Sequence, residues 1–225
     1  MAKLYLCLQQ HHKSLMENFL KLIPEKSKKK VVSLLHLEPL IVRVTKKRIS
    51  KHGDFRKKAN GDFFITINES TNPYRFLITL LHEIAHYIVY KKYSNISKPH
   101  GPEWKLAYRK ILLPFLNNQI FPDQICRCLA HYIRNPKAST DRDLNLFMAL
   151  RKYDKKENYS LILEIEKGQS FRIKGGRKFI KLNKRRKLYE CREVSSNRIY
   201  LFSPQAEVIP SLWLIFFPDT FFSLF

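Results

Sequence analysis

Apolar residues change their spacing along this chain, and each spacing predicts a different element. Over residues 40–68, β-branched and aromatic side chains show partial alternation, and Asn60-Gly61 is a strong hairpin signal. We therefore predict three short strands that form a β-meander. From Tyr74 to about Tyr93, apolar residues occupy most faces of a helix, which is typical of a helix buried in a core.

The second half of the chain changes from a helical period to an alternating one. Further helices are predicted at about 103–113, 122–133 and 141–152, whereas beyond residue 159 the period is two and Gly175-Gly176 indicates a hairpin turn. The sequence therefore predicts an α+β fold, in which a helical domain with a short β-meander precedes a small all-β module. We expect a domain at 1–135, a linker with a helix at 136–158, the β module at 159–210 and an apolar tail at 211–225.

Length and composition favour a globular protein. The chain has 225 residues, 44% of them hydrophobic, which is enough for a packed core. No stretch reaches the ~18 apolar residues of a membrane helix, and Pro218-Asp219 interrupts the Phe-rich tail. A tail docked on the core, a partner-binding segment and a surface anchor remain open. The N-terminus lacks a signal-peptide core and the four cysteines include no C-x-x-C pair, so we expect a cytoplasmic protein.

Charge adds a class of partner to this picture. The chain has 42 Lys and Arg against 19 Asp and Glu, which gives a net charge of +23. Such an excess favours binding to polyanions, either nucleic acid or an anionic membrane surface. The alternative is a basic protein that has no specific polyanionic partner.

The predicted core helix carries a candidate metal site. His82 and His86 are four residues apart and therefore lie on one face of the helix, and Glu83 follows His82. Two imidazoles at this spacing can bind one zinc ion, and the glutamate can take a proton from zinc-bound water. Burying these groups without a metal would be costly. The pattern predicts a zinc-dependent peptidase with one Zn²⁺ ion and Glu83 as general base.

A catalytic zinc site usually has three protein ligands and one open position. We expect His100 to be the third ligand, because a short loop can fold it back over the helix that carries the first two. Glu103 is the alternative third ligand. Its other possible role is to interact with the dipole of the helix that begins near it.

The predicted β module is strongly basic. Between Lys167 and Arg192 there are eleven Lys and Arg residues and one acidic residue, with Phe171, Phe179 and Tyr189 interleaved. Cations with aromatics on a small β module suit single-stranded nucleic acid, through phosphate contacts and base stacking. The alternative is an ordinary two-faced sheet with aromatics inside and lysines outside. The candidate nucleic-acid residues are Arg172, Lys174, Arg177, Lys178, Lys184, Arg185, Arg186 and Lys187.

The stretch from Asn72 to Trp104 resembles the SprT-like family, through His82-Glu83-Ile84-Ala85-His86 and the later His100-Gly101-Pro102-Glu103-Trp104. That family includes the Spartan proteases, which degrade proteins crosslinked to DNA. The resemblance implies that His82, His86 and His100 bind zinc and that Glu83 is catalytic. The β module is similar to the C-terminal part of SprT-like proteins of the Bacteroidetes type. The chain lacks the Cys-rich zinc ribbon through which many members contact DNA, and the basic module is the candidate replacement.

Three functions follow from these observations. The first is a zinc endopeptidase that cleaves DNA-associated or DNA-crosslinked proteins. The second is a nucleic-acid-binding protein whose zinc site is structural or inactive. The third is a general peptidase that does not depend on DNA.

Overall fold

The computed structural model describes residues 16–36, 40–48, 51–70, 72–94, 96–155 and 158–211. The chain divides into two compact units after Lys155. Each unit has its own hydrophobic core. The predicted apolar tail lies outside the described residues, except at its first position.

The first unit contains a small mixed sheet, made of β1 (Leu40–Thr45), β2 (Gly53–Lys57) and β3 (Phe63–Asn68). The strand order is β1-β3-β2, with β3 parallel to β1 and antiparallel to β2. The predicted meander is therefore wrong in its order, because a meander would place β2 in the centre. Burial explains the difference, since β3 has buried residues on both faces whereas β2 has none and lies at the edge.

Helices cover this sheet and supply most of the core of the first unit. Residues 16–20 are helical, followed by α1 (Lys28–His36), α2 (Pro73–Tyr93), α3 (Pro102–Leu112), α4 (Asp123–Tyr132) and α5 (Leu144–Arg151). Short 3₁₀ turns occur at Glu25–Ser27, Leu113–Phe115 and Thr140–Arg142. The helix expected to be buried is α2, and its buried residues lie on nearly all of its faces.

The start of α2 is fixed by a cap that also ties it to the end of the first unit. The Asn72 side chain accepts hydrogen bonds from the backbone N–H groups of Tyr74 and Arg75, both at 3.1 Å, and Pro73 occupies the first helical position. The Asn72 amide also donates to the carbonyl of Leu150 at 2.8 Å. This end of the metal-site helix is therefore held by residues that follow it by more than seventy positions.

The second unit is an antiparallel sheet in the order β4-β9-β5-β6-β7-β8. Its strands are β4 (Ser160–Leu161), β5 (Ser170–Arg172), β6 (Lys178–Arg185), β7 (Leu188–Glu193), β8 (Ile199–Phe202) and β9 (Glu207–Pro210), with a 3₁₀ turn at Ile162–Glu164. Phe171 and Phe179 are fully buried and stack on each other, with their ring centroids 5.7 Å apart. The two units confirm the predicted α+β class and the all-β C-terminal module. In the described parts of the chain, no helix has the length and apolar character needed to cross a bilayer.

Candidate metal centre

Three histidines of the first unit converge on one point. The Nε2 atoms of His82 and His86 are 3.2 Å apart, and the Nε2 atom of His100 lies 3.1 Å from the first and 3.0 Å from the second. Two zinc ligands at about 2.0–2.1 Å from the ion are separated by roughly 3.3–3.4 Å in a tetrahedral site. The three nitrogens are therefore within a few tenths of an ångström of the spacing that zinc requires, and they form a possible metal site.

A tight turn brings His100 to the other two rings. His100 has a positive φ of 58°, and the N–H of Gly101 donates to the carbonyl of Lys98 at 2.9 Å. A Cβ atom at position 101 would lie only 2.8 Å from that carbonyl oxygen, so this turn requires glycine. Glu103, the alternative third ligand, is not a member of the three-histidine cluster in the described part of the chain.

The indole of Trp104 packs against all three imidazoles. Its ring centroid lies 4.6 Å from that of His82, 5.3 Å from that of His86 and 4.7 Å from that of His100. Trp104 is 1% exposed and stacks in turn on the buried Tyr108 at 4.9 Å. The histidine rings therefore stand on a rigid aromatic support that fixes their orientation and excludes water from one side.

The environment of the three histidines favours the neutral imidazole, which is the form that binds a metal. Burial lowers the pKa of His82 well below its usual value, and the neighbouring histidines add to this effect. Burial also lowers the pKa of His86 to about 4 and lowers that of His100. Neutral nitrogen donors in a three-histidine set suit zinc, and the fit is to a site that keeps an open position.

Glu83 is buried against the edge strand of the sheet. It is 6% exposed, and burial, helped by the negative charge of Asp54, raises its pKa to about 8 even though the N–H of Phe55 hydrogen-bonds to it. Gly53 makes this approach possible, because a Cβ there would lie 3.0 Å from Glu83 and 2.9 Å from Thr79. A high pKa makes the carboxylate a strong base, although a bound cation next to it would lower this pKa again.

An open cleft of about 440 Å³ gives access to the histidines and Glu83. One wall is residues 51–55, which include the start of β2, and the floor is the face of α2 that carries the H-E-x-x-H residues. The other wall is residues 138–141. The sequence pattern indicated neither this second wall nor His52, which also lines the cleft. No spacing within the sequence connects His52 to the site.

The basic residues of the second unit have different surroundings. The Nε atom of Arg177 lies 2.7 Å from the Oε1 atom of Glu193, and its Cζ atom lies 4.8 Å from the centroid of the Tyr200 ring. Lys181, a basic residue of the same stretch, is buried and donates to the carbonyls of Ile162 and Ile165. The remaining candidate residues lie outside the core, and those that are exposed are Lys174, Lys178, Lys184, Arg185, Arg186 and Lys187. Because Phe171 and Phe179 are core residues, they are not available for base stacking.

The cleft brings together an H-E-x-x-H on a buried helix, a third histidine at the same point and a buried carboxyl beside them. Residues 40–121 match the SprT-like family, and this match suggests a metallopeptidase-type domain in this part of the chain. The match includes the first sheet, α2 and α3, and it ends before residues 138–141. Comparison with curated proteins and with solved structures gives no match.

Proposed function

We propose that this protein is a zinc-dependent endopeptidase in which His82, His86 and His100 bind the metal and Glu83 is the general base. The observation that carries the proposal is the convergence of three Nε2 atoms to within 3.0–3.2 Å at the floor of an open cleft, with Glu83 on the same helix. A zinc ion at this point would supply a Lewis acid that polarises a carbonyl and lowers the pKa of water.

Glu83 makes both proton transfers, and its neighbours hold it in place and exclude water. Glu83 takes a proton from the attacking water as its oxygen bonds to the scissile carbonyl carbon, and it later gives that proton to the leaving amine as the C–N bond breaks. The Phe55 N–H holds the Glu83 carboxylate in place during both transfers. Trp104 excludes water from the back of the histidine cluster, which strengthens electrostatic interactions in the site.

The cleft suits an extended polypeptide. Strand β2 is the edge of its sheet and lines the cleft, so its outer side can pair with a substrate strand through main-chain hydrogen bonds. Such pairing does not depend strongly on sequence. We therefore expect the enzyme to cleave flexible or unfolded segments of many proteins.

We further propose that these substrates are proteins bound to nucleic acid. The exposed cations at the turn between β6 and β7, Lys184 to Lys187, form a dense positive patch, and the whole chain carries +23. Because Phe171 and Phe179 are core residues, the contact would be made mainly with phosphates and would be insensitive to base sequence. The same burial favours a second candidate, a peptidase that does not depend on nucleic acid.

The first experiment measures zinc content and cleavage for wild type, Glu83→Gln and His100→Ala, with a basic DNA-binding protein as substrate. We expect wild type and Glu83→Gln to bind one zinc ion, His100→Ala to lose most of it, and only wild type to cleave. A fully zinc-loaded wild type that cleaves nothing, or an active Glu83→Gln variant, would overturn the peptidase proposal and favour a binding protein with an inactive site.

The second experiment tests the nucleic-acid partner in the same assay. Replacing Lys184, Arg185, Arg186 and Lys187 with glutamine should weaken DNA binding and reduce the slope of log affinity against log salt by about 2–4. The matched control removes four exposed positive charges from the first unit, at Lys26, Lys29, Lys98 and Lys110. Equal effects of both variants would indicate general charge rather than this patch, and cleavage unchanged by DNA would favour the DNA-independent peptidase.

A further inference from the structure

His52 is a fourth histidine in the cleft and lies outside the H-E-x-x-H motif and its third ligand. It precedes Gly53, the position at which a Cβ atom would lie only 3.0 Å from the Glu83 side chain. It lines the same cavity as the three clustered histidines. Burial, His86 and His100 lower the pKa of His82, and His52 adds a further, smaller effect of the same sign. His52 is therefore near the reacting groups and is not itself a member of the metal cluster.

One nitrogen of His52 is anchored to the opposite wall of the cleft. Its Nε2 atom lies 2.5 Å from the Oδ2 atom of Asp141, and Arg75 donates to the other carboxylate oxygen of Asp141 at 3.0 Å. Arg75 is itself held by Asp154 at 3.0 Å and is 9% exposed. His52 and Arg75 hold the pKa of Asp141 below its usual value against the opposing effect of burial, so this carboxylate is an anionic acceptor at neutral pH.

This arrangement defines the role of each ring nitrogen. Because the acceptor is an anion, Nε2 carries a proton and donates a hydrogen bond to Asp141. The ring is thus oriented by a chain of charges from Asp154 through Arg75 to Asp141, in which Arg75 is buried and the two carboxylates are partly exposed. The nitrogen left to meet a substrate is Nδ1, which donates a hydrogen bond when the ring carries a proton on both nitrogens.

The other polar side chains of the cleft are less suited to this role. Lys51 is 3.5 Å from Asp54, a carboxylate that Arg48 and Arg56 also contact. The Ser139 hydroxyl accepts from the N–H of Asp141 as the cap of a 3₁₀ turn. His52 alone among these combines a position in the cleft with a ring fixed from behind.

We propose that His52 is a second catalytic residue, whose Nδ1–H donates a hydrogen bond to the scissile carbonyl oxygen, and that Asp141 and Arg75 position it. This inference rests on the proposed peptidase function. When the oxygen of water bonds to the carbonyl carbon, the π pair of the C=O bond moves onto the carbonyl oxygen. His52 stabilises that negative charge without transferring its proton, and the pair returns when the C–N bond breaks. Removing one such donor typically lowers kcat by about 10²–10³.

The test compares His52→Ala, His52→Gln and Asp141→Asn with wild type. We expect His52→Ala to lower kcat by roughly 100-fold or more, with KM and zinc content within about twofold of wild type. His52→Gln keeps a donor and should recover part of the loss, and Asp141→Asn should lie between wild type and His52→Ala. His131→Ala is the matched control, because this histidine is exposed on α4, and its kinetics should not change.

A readout without activity checks the anchoring. Histidine-labelled, metal-free protein should show a downfield Nε2 proton resonance that is lost in His52→Ala and shifted in Asp141→Asn. Retention of wild-type kcat in His52→Ala would overturn the proposal, and a lower KM with faster cleavage would show that the contact only closes the cleft. These results are distinct from failure of the peptidase proposal itself, in which wild type is inactive or Glu83→Gln remains active.

Discussion

Burial of the Glu83 carboxylate lowers the free energy of unfolding, and this loss can be measured in the metal-free protein. The perturbation is Glu83→Gln, which removes the charge of the side chain, nearly preserves its size and keeps an acceptor for the Phe55 N–H. Burial raises the pKa of Glu83 from 4.5 to about 8. Because the folded pKa of this acid is raised, the folded state holds the proton more tightly than the unfolded state.

The magnitude and its pH window follow from that shift. Below pH 4.5 the carboxyl is protonated in both states and Glu83 has no electrostatic effect on stability. As the pH rises from 4.5 to about 8, the free energy of unfolding of wild type falls by ~1.4 kcal/mol per pH unit, and the full loss is at most ~5 kcal/mol. Water entry and local relaxation reduce this value, so about 2–4 kcal/mol is the expected effect at pH 9.

The assay is urea unfolding in the presence of a chelator at pH 5, 7 and 9. Trp104 lies against the three histidines and reports on the first unit, and a Trp213→Phe background removes the second of the two tryptophans. We expect Glu83→Gln to be nearly as stable as wild type at pH 5 and increasingly more stable towards pH 9. The matched control is Glu69→Gln, since Glu69 is exposed. A difference that does not depend on pH, or a less stable Glu83→Gln at pH 9, would refute the reasoning.

Three further predictions test the packing around the site and the two units. Gly53→Ala places a Cβ 2.9 Å from the Thr79 methyl group, so the free energy of unfolding from thermal denaturation should fall by about 1–3 kcal/mol. Adding Thr79→Ser should restore part of this stability, because it removes that methyl group. Lys181→Met removes the Lys181 donor from the carbonyl of Ile165 and one of two donors from that of Ile162, and it should destabilise the second unit by about 1–3 kcal/mol with zinc content unchanged. An unaltered melting temperature would contradict this. A chain that ends at residue 135 keeps every predicted metal ligand. It should nevertheless unfold at a lower temperature and bind zinc more weakly than a chain that ends at residue 155. Equal behaviour of the two would show that residues 136–155 do not support the site.

The H-E-x-x-H site was predictable from the sequence because its geometry is local. His82 and His86 share a helix face through their spacing alone, and the apolar pattern around them indicates that the helix is buried. His100 required a turn to fold back, which His100-Gly101-Pro102 encodes within three residues. These groups therefore come together through contacts over short stretches of chain.

The features that the sequence did not reveal depend on contacts between distant residues. His52 meets Asp141 across 89 positions, and neither residue belongs to a spacing pattern. The order of the first sheet depends on the parallel pairing of β1 with β3, which alternation within each strand cannot specify. In the second unit, alternation predicts two faces but not which face is inside. Phe171 and Phe179 are core residues, and Lys181 lies inside with them because two carbonyls accept hydrogen bonds from its ammonium group.

The residues that follow the family match complete the cleft and support α2. The N-terminal end of α2 is held by Asn72 and Arg75, whose partners are Leu150, Asp141 and Asp154. A buried charge left without any partner costs about 3–5 kcal/mol, and Arg75 keeps one of its two carboxylates when the other is removed, so the loss is smaller. The same helix carries His82, Glu83 and His86 on its later turns, so a loss of contacts at the start of the helix would move the proposed metal ligands. The second wall of the cleft is thus both a boundary of the proposed substrate site and an anchor of the helix that carries two of the candidate metal ligands. For this reason, substitutions at Asp141 should affect kcat and stability together, whereas those at His52 should affect kcat alone.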